Sequence, residues 1–457
     1  MNTQSKQESP EDLPFSANDA VIIDATASEV KPLAGVPAAP AKVFSLDHAQ
    51  PLDPHAFPNP PTAGRRAPPA TIANVRHFLA EYRVTVRYDV IRKRLLITML
   101  GYAGCPDNFD NVAITYIVSL ATLNGIDTQH IAKYVEAIGD GHQFNPVAEW
   151  IHSKVWDRVD RLAAFYGTLI QRADFPEELK QALMYRWALS AVAAALKPTG
   201  FRGRGVLTLQ GPQSIGKTAW AMALVADEAL RRAVIKVDHH LDGSNKDTII
   251  TAVTHWIVEI GELDSSFKRD VARLKGFLTA DCDKVRRPYA RGDSEYQRRT
   301  VFCASVNEET FLVDSTGNTR FWTIPVTAIN YEHRIDMQQL WAQLAVEFEA
   351  GKPWWLTDQE EEWLEEHNKR FRAVSAIREL LLGKLDLDLA SQARATARTS
   401  REVLTACFVF TPTNTQFKEC VAVLRELVGE PTRINGELKW RVAFREGTTQ
   451  DDDDDRY

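Results

Sequence analysis

The sequence carries near its centre the stretch Gly211-Pro212-Gln213-Ser214-Ile215-Gly216-Lys217-Thr218. This stretch matches the pattern G-x-x-x-x-G-K-[ST], which is typical of a phosphate-binding P-loop. A buried strand is predicted before it, at 206–209, and a helix opens after it at Ala219, which is the order that the motif requires. Backbone N–H groups of such a loop surround phosphates, and the helix N-terminus adds a positive dipole. A glycine turn without a ligand seldom has both flanks correct, so the motif predicts a nucleoside triphosphatase.

The loop residues have separate expected roles. Lys217 would reach the β- and γ-phosphates, and the Thr218 hydroxyl would bind Mg²⁺. The predicted nucleotide-binding set consists of Gly211, Gln213, Ser214, Gly216, Lys217, Thr218 and Ala219.

The composition is ordinary for a globular protein. The 457 residues, 44% hydrophobic and 25% charged, allow about three domains. No apolar run of about 18 residues and no apolar signal segment is present, so neither a membrane span nor secretion is expected. Five cysteines without a C-x-x-C pair favour reduced cytosolic thiols over a disulfide or zinc framework. A net charge of −7 argues against a uniformly basic nucleic-acid binder, but not against a local basic channel.

The region before the P-loop divides into two predicted parts. Residues 1–69 are predicted to be a disordered tail, because twelve of the 22 prolines lie there and no helical or strand period persists. Residues 70–198 are predicted to form a mostly helical accessory domain that opens with strands at 84–88 and 95–98. Its predicted helices are 109–123, 128–138 (capped by Asp127), 146–154, 157–171 and 176–197. This domain contains a cluster of basic residues, Arg87, Arg92, Lys93 and Arg94. Such a cluster is most often a solvated face, and the alternative is that it contacts nucleic acid.

An apolar strand that ends in acids follows the P-loop, at 255–262. In P-loop proteins one such carboxylate holds the water shell of Mg²⁺ and another polarises the attacking water. Strand side chains alternate faces, so Glu259 and Glu262 share a site only if the strand breaks between them, as Gly261 permits. We expect Glu262 to activate water, and Glu259 or Asp264 to assist the metal. The alternative for Glu259 is a solvated strand residue.

Three further features follow in order. Residues 289–296 have a turn-like centre between two tyrosines, which predicts a β-hairpin. A strand at 301–306 ends at Asn307, whose amide either bonds the γ-phosphate or the attacking water, or simply terminates the strand. Arg320 lies on a loop before a strand at 323–326, and is either an arginine finger acting on a neighbour's ATP or a structural arginine.

Taken together, these segments resemble the virulence-associated E family, whose P-loop domain is similar to superfamily 3, AAA+-type helicases. The resemblance covers about residues 140–330. It rests on W-I-V-E-I-G-E-L-D, L-K-G-F-L-T-A-D, R-R-P-Y, R-R-T-V-F-C-A-S-V-N and F-L-V-D-S-T-G-N-T-R-F-W, and upstream on N-P-V and V-W-D-R-V-D-R-L. Two positions depart from the family. Arg158 replaces the glycine of W-D-G. Asn318-Thr319-Arg320 replaces the usual R-R or N-R-R, which leaves Arg320 as the one finger candidate.

The resemblance implies an α/β fold with a P-loop AAA+-like core at 199–350. Its cofactors would be ATP and Mg²⁺, and the ATP would be hydrolysed at the interfaces between the subunits of a hexameric ring. The implied catalytic residues are Lys217, Glu259, Glu262, Asn307 and Arg320, with Thr218 and Glu259 at the metal. The hairpin would line a central pore, with DNA contacts from Lys284, Arg287, Tyr289 or Arg291. Relatives often carry a primase domain, and the tail is expected to be too short for one, so a separate primase or replication protein is an expected partner.

The last third is predicted to contain a helical connector at 351–393, a winged-helix-like domain at 394–446 and an acidic tail at 447–457. A capping box from Thr399 predicts a helix start, and Asn435-Gly436 predicts a hairpin. Arg394 to Arg398 is predicted to be a basic linker. Arg433 and Lys439 either bind DNA phosphates or belong to a wing that docks a protein.

The sequence therefore favours an ATP-dependent DNA helicase or translocase of phage or mobile-element replication. It would act on single-stranded or forked DNA in the cytoplasm of a bacterial host, without contact to a membrane. Two other hypotheses remain open. One is a DNA-stimulated ATPase switch or loader that unwinds nothing, and the other is a non-enzymatic scaffold locked by a bound nucleotide.

Overall fold

The structure, a computed structural model, has a mixed α/β fold. It describes residues 48–100, 102, 105, 108–242, 245–261, 276–285, 294–312, 318–371, 376–388 and 395–445. Within these ranges no helix is long and apolar enough to cross a membrane.

An N-terminal unit (residues 48–144) has a hydrophobic core of its own. Its elements are α1 (Ile72–Glu81), β1 (Val84–Asp89), β2 (Arg94–Met99), α2 (Phe109–Leu123), α3 (Ile131–Asp140) and β3 (Gln143–Phe144). The three strands form one sheet in the order β2-β1-β3, in which β1 and β2 are antiparallel. The helices cover this sheet with side chains such as Phe78, Ile117 and Val135, all fully buried. The helix predicted at 128–138 begins at Ile131 instead, after His130, because Asp127 accepts a hydrogen bond from the Gln129 N–H and stays outside it.

The predicted disorder of residues 1–69 is wrong for residues 48–69. Phe57 is 3% exposed and packs into the core of the N-terminal unit. The buried Asn74 amide donates to the backbone oxygens of Asn59 and Pro69, and Asn124 accepts from the Leu52 N–H. Side chains distant in sequence thus satisfy the backbone of a proline-rich segment, and composition alone could not reveal these partners.

Residues 146–196 share a core with the central sheet, and Ile91 of the N-terminal unit also packs into this core. Their elements are α4 (Pro146–Ile151), α5 (Leu162–Tyr166), β4 (Leu169–Gln171) and α6 (Glu177–Leu196). Their apolar side chains join the same core as Leu207 and Leu209, so the predicted boundary at 198 does not separate two cores.

Two helices predicted before α6 are shorter in the structure. The helix predicted at 146–154 ends at Ile151, and the one predicted at 157–171 is confined to α5 and followed by β4. Arg158 has φ 67°, which a right-handed helix does not allow. The loop is held open by a bidentate Arg161–Asp157 pair and by bonds from its backbone N–H groups to Gln339 and Gln343.

The central sheet has the strand order β4-β11-β5-β10-β7-β6. Its elements, with those between them, are β5 (Val206–Gln210), α7 (Lys217–Ala223), α8 (Glu228–Val234), β6 (Ile235–Lys236), α9 (Lys246–Val253), β7 (Ile257–Ile260), β8 (Cys282–Val285), β9 (Ser294–Gln297), β10 (Val301–Val306) and β11 (Phe321–Ile329). Strands β11, β5, β10, β7 and β6 are parallel, and only β4 runs antiparallel. Parallel strands place all their carboxyl ends at one edge, here called the carboxyl edge, and all their amino ends at the opposite, amino edge.

The hairpin lies at the amino edge and is longer than predicted. Strands β8 and β9 pair antiparallel from Cys282↔Gln297 to Val285↔Ser294, so the hairpin begins before residue 289. Residues 286–293, between these two strands, lie outside the described residues. The chain passes from β9 directly into β10 at Val301, which ties the base of the hairpin to the sheet.

The C-terminal part continues with helices and a small sheet. Its elements are α10 (Met337–Glu349), α11 (Asp358–Asn368), α12 (Ala376–Lys384), β12 (Leu385–Asp386), β13 (Thr396–Arg398), α13 (Ser400–Ala406), α14 (Asn414–Leu427), β14 (Thr432–Ile434) and β15 (Glu437–Phe444). The capping box at Thr399 is formed, and Asn435 and Gly436, with φ of 52° and 85°, make the turn between β14 and β15. Part of the predicted basic linker is strand β13, which pairs with β15 because Trp440 and Val442 bury their side chains beneath it.

Candidate functional site

The P-loop connects β5 to α7 through two residues with left-handed backbone. Ser214 has φ 65° and Gly216 has φ 96°, a region that glycine adopts without steric cost. A Cβ on Gly216 would lie 2.2 Å from the Tyr331 ring, and one on Gly211 would lie 2.3 Å from the Val326 carbonyl oxygen. The glycines of the motif are therefore required by backbone conformation and by close packing.

Lys217 is buried at the base of the loop, with 7% of its surface exposed. Its Nζ donates to the backbone oxygens of Gly211 and Pro212, each at 2.7 Å, and to Asn307 Oδ1 at 2.8 Å. Burial lowers the pKa of the Lys217 ammonium, and the nearby Glu259 charge opposes that shift. All three hydrogen-bond acceptors are neutral, so the positive charge stays available to an anion.

Glu259 lies on β7, next to β10, and is 1% exposed. Its Oε2 accepts a 2.7 Å hydrogen bond from the backbone N–H of Asp238, which follows β6. Its Oε1 is buried and has no hydrogen-bond partner among the described residues. Burial raises the pKa of the neighbouring Cys303 thiol well above its usual value, and the Glu259 charge raises it further.

A pocket of about 290 Å³ opens at the carboxyl edge of the sheet. It is lined by Gln213, Ser214, Gly216, Lys217, Thr218, Ala219, Asp238, Glu259, Gly261, Ser305 and Asn307. The pocket thus combines one ammonium with three hydroxyls, two side-chain amides and two carboxylates. Such a set can bind an anion and a hard cation side by side.

The structure brings together most residues of the predicted nucleotide site. Six of the seven predicted nucleotide-binding residues line the pocket, and the seventh, Gly211, accepts a bond from Lys217. Of the predicted catalytic residues, Lys217, Glu259 and Asn307 meet there. Glu262 lies outside the described residues.

Arg320 is not among the residues that line this pocket. It ends a 3₁₀ turn directly before β11, whose first residue Phe321 pairs with Val206, the first residue of β5. Arg320 therefore lies at the amino edge. Five residues of β5, at about 3.3 Å each, separate the two edges by on the order of 15 Å.

The predicted DNA-binding residues are spread over three places. Arg287, Tyr289 and Arg291 lie outside the described residues, and Lys284 lies on β8 at the amino edge. Arg433 and Lys439 lie on β14 and β15, where Arg433 donates to the Gly436 carbonyl oxygen and Lys439 pairs with Glu437 at 3.3 Å. None of the described members of this set lines the pocket.

Sequence reasoning missed three residues of the pocket: Asp238, Gly261 as a lining residue, and Ser305. A signal for Asp238 was present, because it comes directly after the short run Val234-Ile235-Lys236-Val237, which is typical of a strand, and parallel strands have their carboxyl ends at one edge. The missing information was the strand order, which places β6 beside β7.

The amino edge holds a second buried cation. Arg298, between β9 and β10, is 2% exposed, and its guanidinium donates to both carboxylate oxygens of Asp283 on β8, at 2.5 and 2.7 Å. It also lies 4.5 Å from the centre of the Phe277 ring. This pair fastens the base of the hairpin onto the start of β10.

Comparison with known proteins identifies the central part of the chain. Residues 151–373 match the family model described as the virulence-associated protein E-like domain. The chain therefore carries a virulence-associated protein E-like domain, and the resemblance read from its motifs is confirmed.

Solved structures give a more distant likeness, and no curated protein matches the sequence. An apo structure of the NrS-1 C-terminal region covers 81% of this chain and 98% of that chain, at 11% identity and a TM-score of 0.38. Two A-form apo structures of the same region have the same coverage, with 12% and 13% identity and TM-scores of 0.34 and 0.36.

Proposed function

We propose that this protein binds and hydrolyses ATP in the carboxyl-edge pocket, and that it uses hydrolysis to move along DNA as a helicase or translocase of phage or mobile-element replication. One observation carries the proposal. The Lys217 ammonium is buried among three neutral oxygens at the foot of a glycine-bent loop, so its charge matches an anionic ligand. A triphosphate supplies that charge, and the loop supplies backbone N–H groups around it.

The pocket residues fit Mg²⁺ as a companion of the nucleotide. Thr218 would bind it through the hydroxyl, and Glu259 would hold its water shell. The buried, unpartnered Oε1 of Glu259 is an oxygen that a cation would compensate. Within the described part of the chain, no group of three or more His, Cys, Asp or Glu side chains is arranged around a metal. This agrees with Mg²⁺, which is usually held by one or two carboxylates together with substrate phosphates.

The roles of the remaining residues follow from their positions. Asn307 both orients Lys217 and faces the pocket, where its amide N–H₂ can donate to a phosphate oxygen or to the attacking water. Bound Mg²⁺ would neutralise charge on the phosphates. The acid that polarises the attacking water would be Glu262, with Glu259 as the alternative.

Arg320 would act on the ATP of a neighbouring subunit. Within one chain Arg320 lies at the edge opposite the pocket, so it is too far from the nucleotide bound by its own subunit to contact it. A ring of subunits, proposed to be hexameric, would bring the amino edge of one copy towards the carboxyl edge of the next. This arrangement would also place the hairpin, with Lys284, Arg287, Tyr289 and Arg291, along a central DNA path.

The C-terminal hairpin, with Arg433 and Lys439, is proposed as an additional DNA contact. We further propose a separate primase or replication protein as a partner, in the cytoplasm of a bacterial host.

The proposal is tested first with Lys217→Ala. Hydrolysis of ATP should fall by roughly 100-fold or more, because a preorganised charge on the transferring phosphate is lost. Lys352→Ala, at an exposed position, is the matched control and should hydrolyse ATP like the wild type. Unchanged hydrolysis in Lys217→Ala would contradict the proposed site. A wild-type protein without measurable turnover would favour the scaffold hypothesis.

Strand displacement on a forked DNA substrate then separates a motor from a switch. Unwinding that depends on ATP supports the helicase. DNA-stimulated hydrolysis without unwinding would favour the switch or loader.

Mixing two inactive variants tests whether Arg320 acts between subunits. Arg320→Ala subunits keep an intact pocket, and Lys217→Ala subunits keep an intact finger, so mixed assemblies should regain part of the activity. If mixing restores none, the assignment of Arg320 as a finger in trans is wrong.

A further inference from the structure

Asp238 is a pocket residue to which neither the motifs nor the family resemblance gives a role. It follows β6 at the carboxyl edge, adjacent to β7, which carries Glu259. Its backbone has φ 51°, and its side chain is exposed to the pocket. A non-glycine residue in this left-handed region is uncommon and is a reason to examine function.

The backbone of Asp238 contacts Glu259, and its side chain lines the pocket. The backbone N–H donates to Glu259 Oε2 at 2.7 Å and so orients that carboxylate. Any residue able to adopt a left-handed conformation could do this, and asparagine and glycine adopt it readily. The orientation of Glu259 therefore does not explain why the side chain is a carboxylate.

The Asp238 carboxylate lies against Gly261. A Cβ on Gly261 would lie 2.4 Å from Asp238 Oδ1, so the side chain rests directly on the glycine that follows β7. This brings a second carboxylate to the end of the strand that carries Glu259. The carboxylate makes no hydrogen bond to any described residue, and like charges so arranged repel each other unless a cation lies near both.

An independent observation indicates a cation at this place. Glu259 is 1% exposed and lines the pocket, and its Oε1 has no partner among the described residues. A buried carboxylate oxygen without a donor is costly unless something binds there.

We propose that Asp238 and Glu259 together hold the hydrated Mg²⁺ that accompanies the nucleotide, with Asp238 acting on its water shell. The inference rests on the proposed function and extends it, since it makes the metal site a pair of carboxylates from adjacent strands. Mg²⁺ loses its waters reluctantly, and one or two carboxylates suffice to hold it beside phosphates.

The test measures the affinity for a fluorescent ATP analogue, in EDTA and in saturating Mg²⁺, for wild type and Asp238→Asn. Asparagine retains the left-handed backbone and the N–H bond to Glu259 and removes only the charge. In EDTA the two proteins should bind within about twofold of each other. The gain in affinity on adding Mg²⁺ should be about 10-fold or more smaller in Asp238→Asn, as for other groups that act through a metal-bound partner.

Glu259→Gln and the double variant complete a cycle. If both carboxylates hold one cation, the double variant should lose less Mg²⁺-dependent affinity than the two single losses multiplied together, because coupled residues are not additive. Glu349→Gln, at an exposed position on α10, is the control and should keep the full Mg²⁺ effect.

An unchanged Mg²⁺ effect in Asp238→Asn would overturn the inference while leaving the proposed function intact. If hydrolysis is slowed in that variant although its Mg²⁺-dependent binding is normal, Asp238 acts on the attacking water instead. A wild-type protein that binds no nucleotide, with or without Mg²⁺, would contradict the proposed function itself.

Discussion

A buried cation lies at each edge of the central sheet, Lys217 at the carboxyl edge and Arg298 at the amino edge, and the two donate hydrogen bonds to different kinds of acceptor. At the carboxyl edge, Lys217 is held by two carbonyl oxygens and one amide oxygen, all neutral. At the amino edge, Arg298 is paired through two hydrogen bonds with the buried carboxylate of Asp283. Lys217 faces an open pocket, whereas Arg298 is enclosed by Phe277 and Phe302.

The comparison shows how a buried charge that stabilises the fold can be distinguished from one that binds a ligand. A charge that is matched inside the protein has no need of a ligand, so the Arg298 pair serves to fix the hairpin to β10. A charge whose hydrogen-bond acceptors are neutral, and which faces an open pocket, can still attract an anionic ligand. Lys217 and Arg298 are buried to a similar extent. What distinguishes them is the acceptor, which is a carboxylate for the structural cation Arg298 and a neutral oxygen for the proposed ligand-binding cation Lys217.

The largest effect is expected at the amino edge. Asp283→Asn should destabilise the protein by about 3–5 kcal/mol, because it leaves the Arg298 guanidinium buried without a counter-charge. Urea denaturation measures the loss, and hydrogen exchange of the β8 and β9 amides locates it. Asp174→Asn, whose partners Arg172 and Arg370 are exposed, should cost less than about 1 kcal/mol. Equal losses in the two variants would show that the buried Arg298–Asp283 pair contributes no more to the free energy of unfolding than an exposed ion pair.

A second substitution makes Lys217 resemble Arg298. Asn307→Asp replaces a neutral acceptor with a carboxylate, which would neutralise the Lys217 charge and repel a phosphate. ATP hydrolysis should fall by roughly 100-fold with little change in stability. Asn307→Ala removes the acceptor without neutralising Lys217 and should retain more nucleotide affinity than Asn307→Asp in the same titration. If Asn307→Asp binds and hydrolyses ATP like the wild type, the neutral surroundings of Lys217 have no functional meaning.

The smallest effect is expected where the N-terminal unit meets the amino edge. Lys93, on the turn between β1 and β2, is 3% exposed, and its Nζ donates to the Gln297 backbone oxygen at 3.3 Å. Lys93→Met keeps most of the apolar stem and should cost about 0.5–1.5 kcal/mol, the usual value of one hydrogen bond. Thermal unfolding compares it with Lys133→Met, at an exposed position on α3. Indistinguishable melting temperatures would mean that this contact does not stabilise the protein.

Lys93 also shows where interpretation by composition fails. The sequence places it in a basic cluster for which a solvated face is the commoner explanation. In the structure it is buried, and its backbone has φ 54°. Burial of a lysine depends on a partner 204 positions away, and no local pattern contains that information.

The sequence by itself determined the elements whose causes are local. The G-x-x-x-x-G-K-T pattern dictates a left-handed turn, so Gly216 and its neighbours identify the loop without any tertiary information. The capping box at Thr399 and the Asn435-Gly436 turn are local for the same reason, since each is formed by residues within a few positions. The apolar runs at 206–210, 257–260 and 301–306 likewise predict buried strands from their own composition.

Only the tertiary structure decided which strand ends meet. The order β5-β10-β7-β6 brings Lys217, Asn307, Glu259 and Asp238 into one pocket, although β10 follows β7 in the chain and lies between it and β5. The same sheet places Arg320 and the hairpin at the opposite edge. The pairing of β5 with β10 brings Lys217 and Asn307, ninety positions apart, within hydrogen-bonding distance, and it depends on how whole faces of the sheet pack. A sequence motif can therefore name the loop that would hold a phosphate, but the fold selects the residues that surround it.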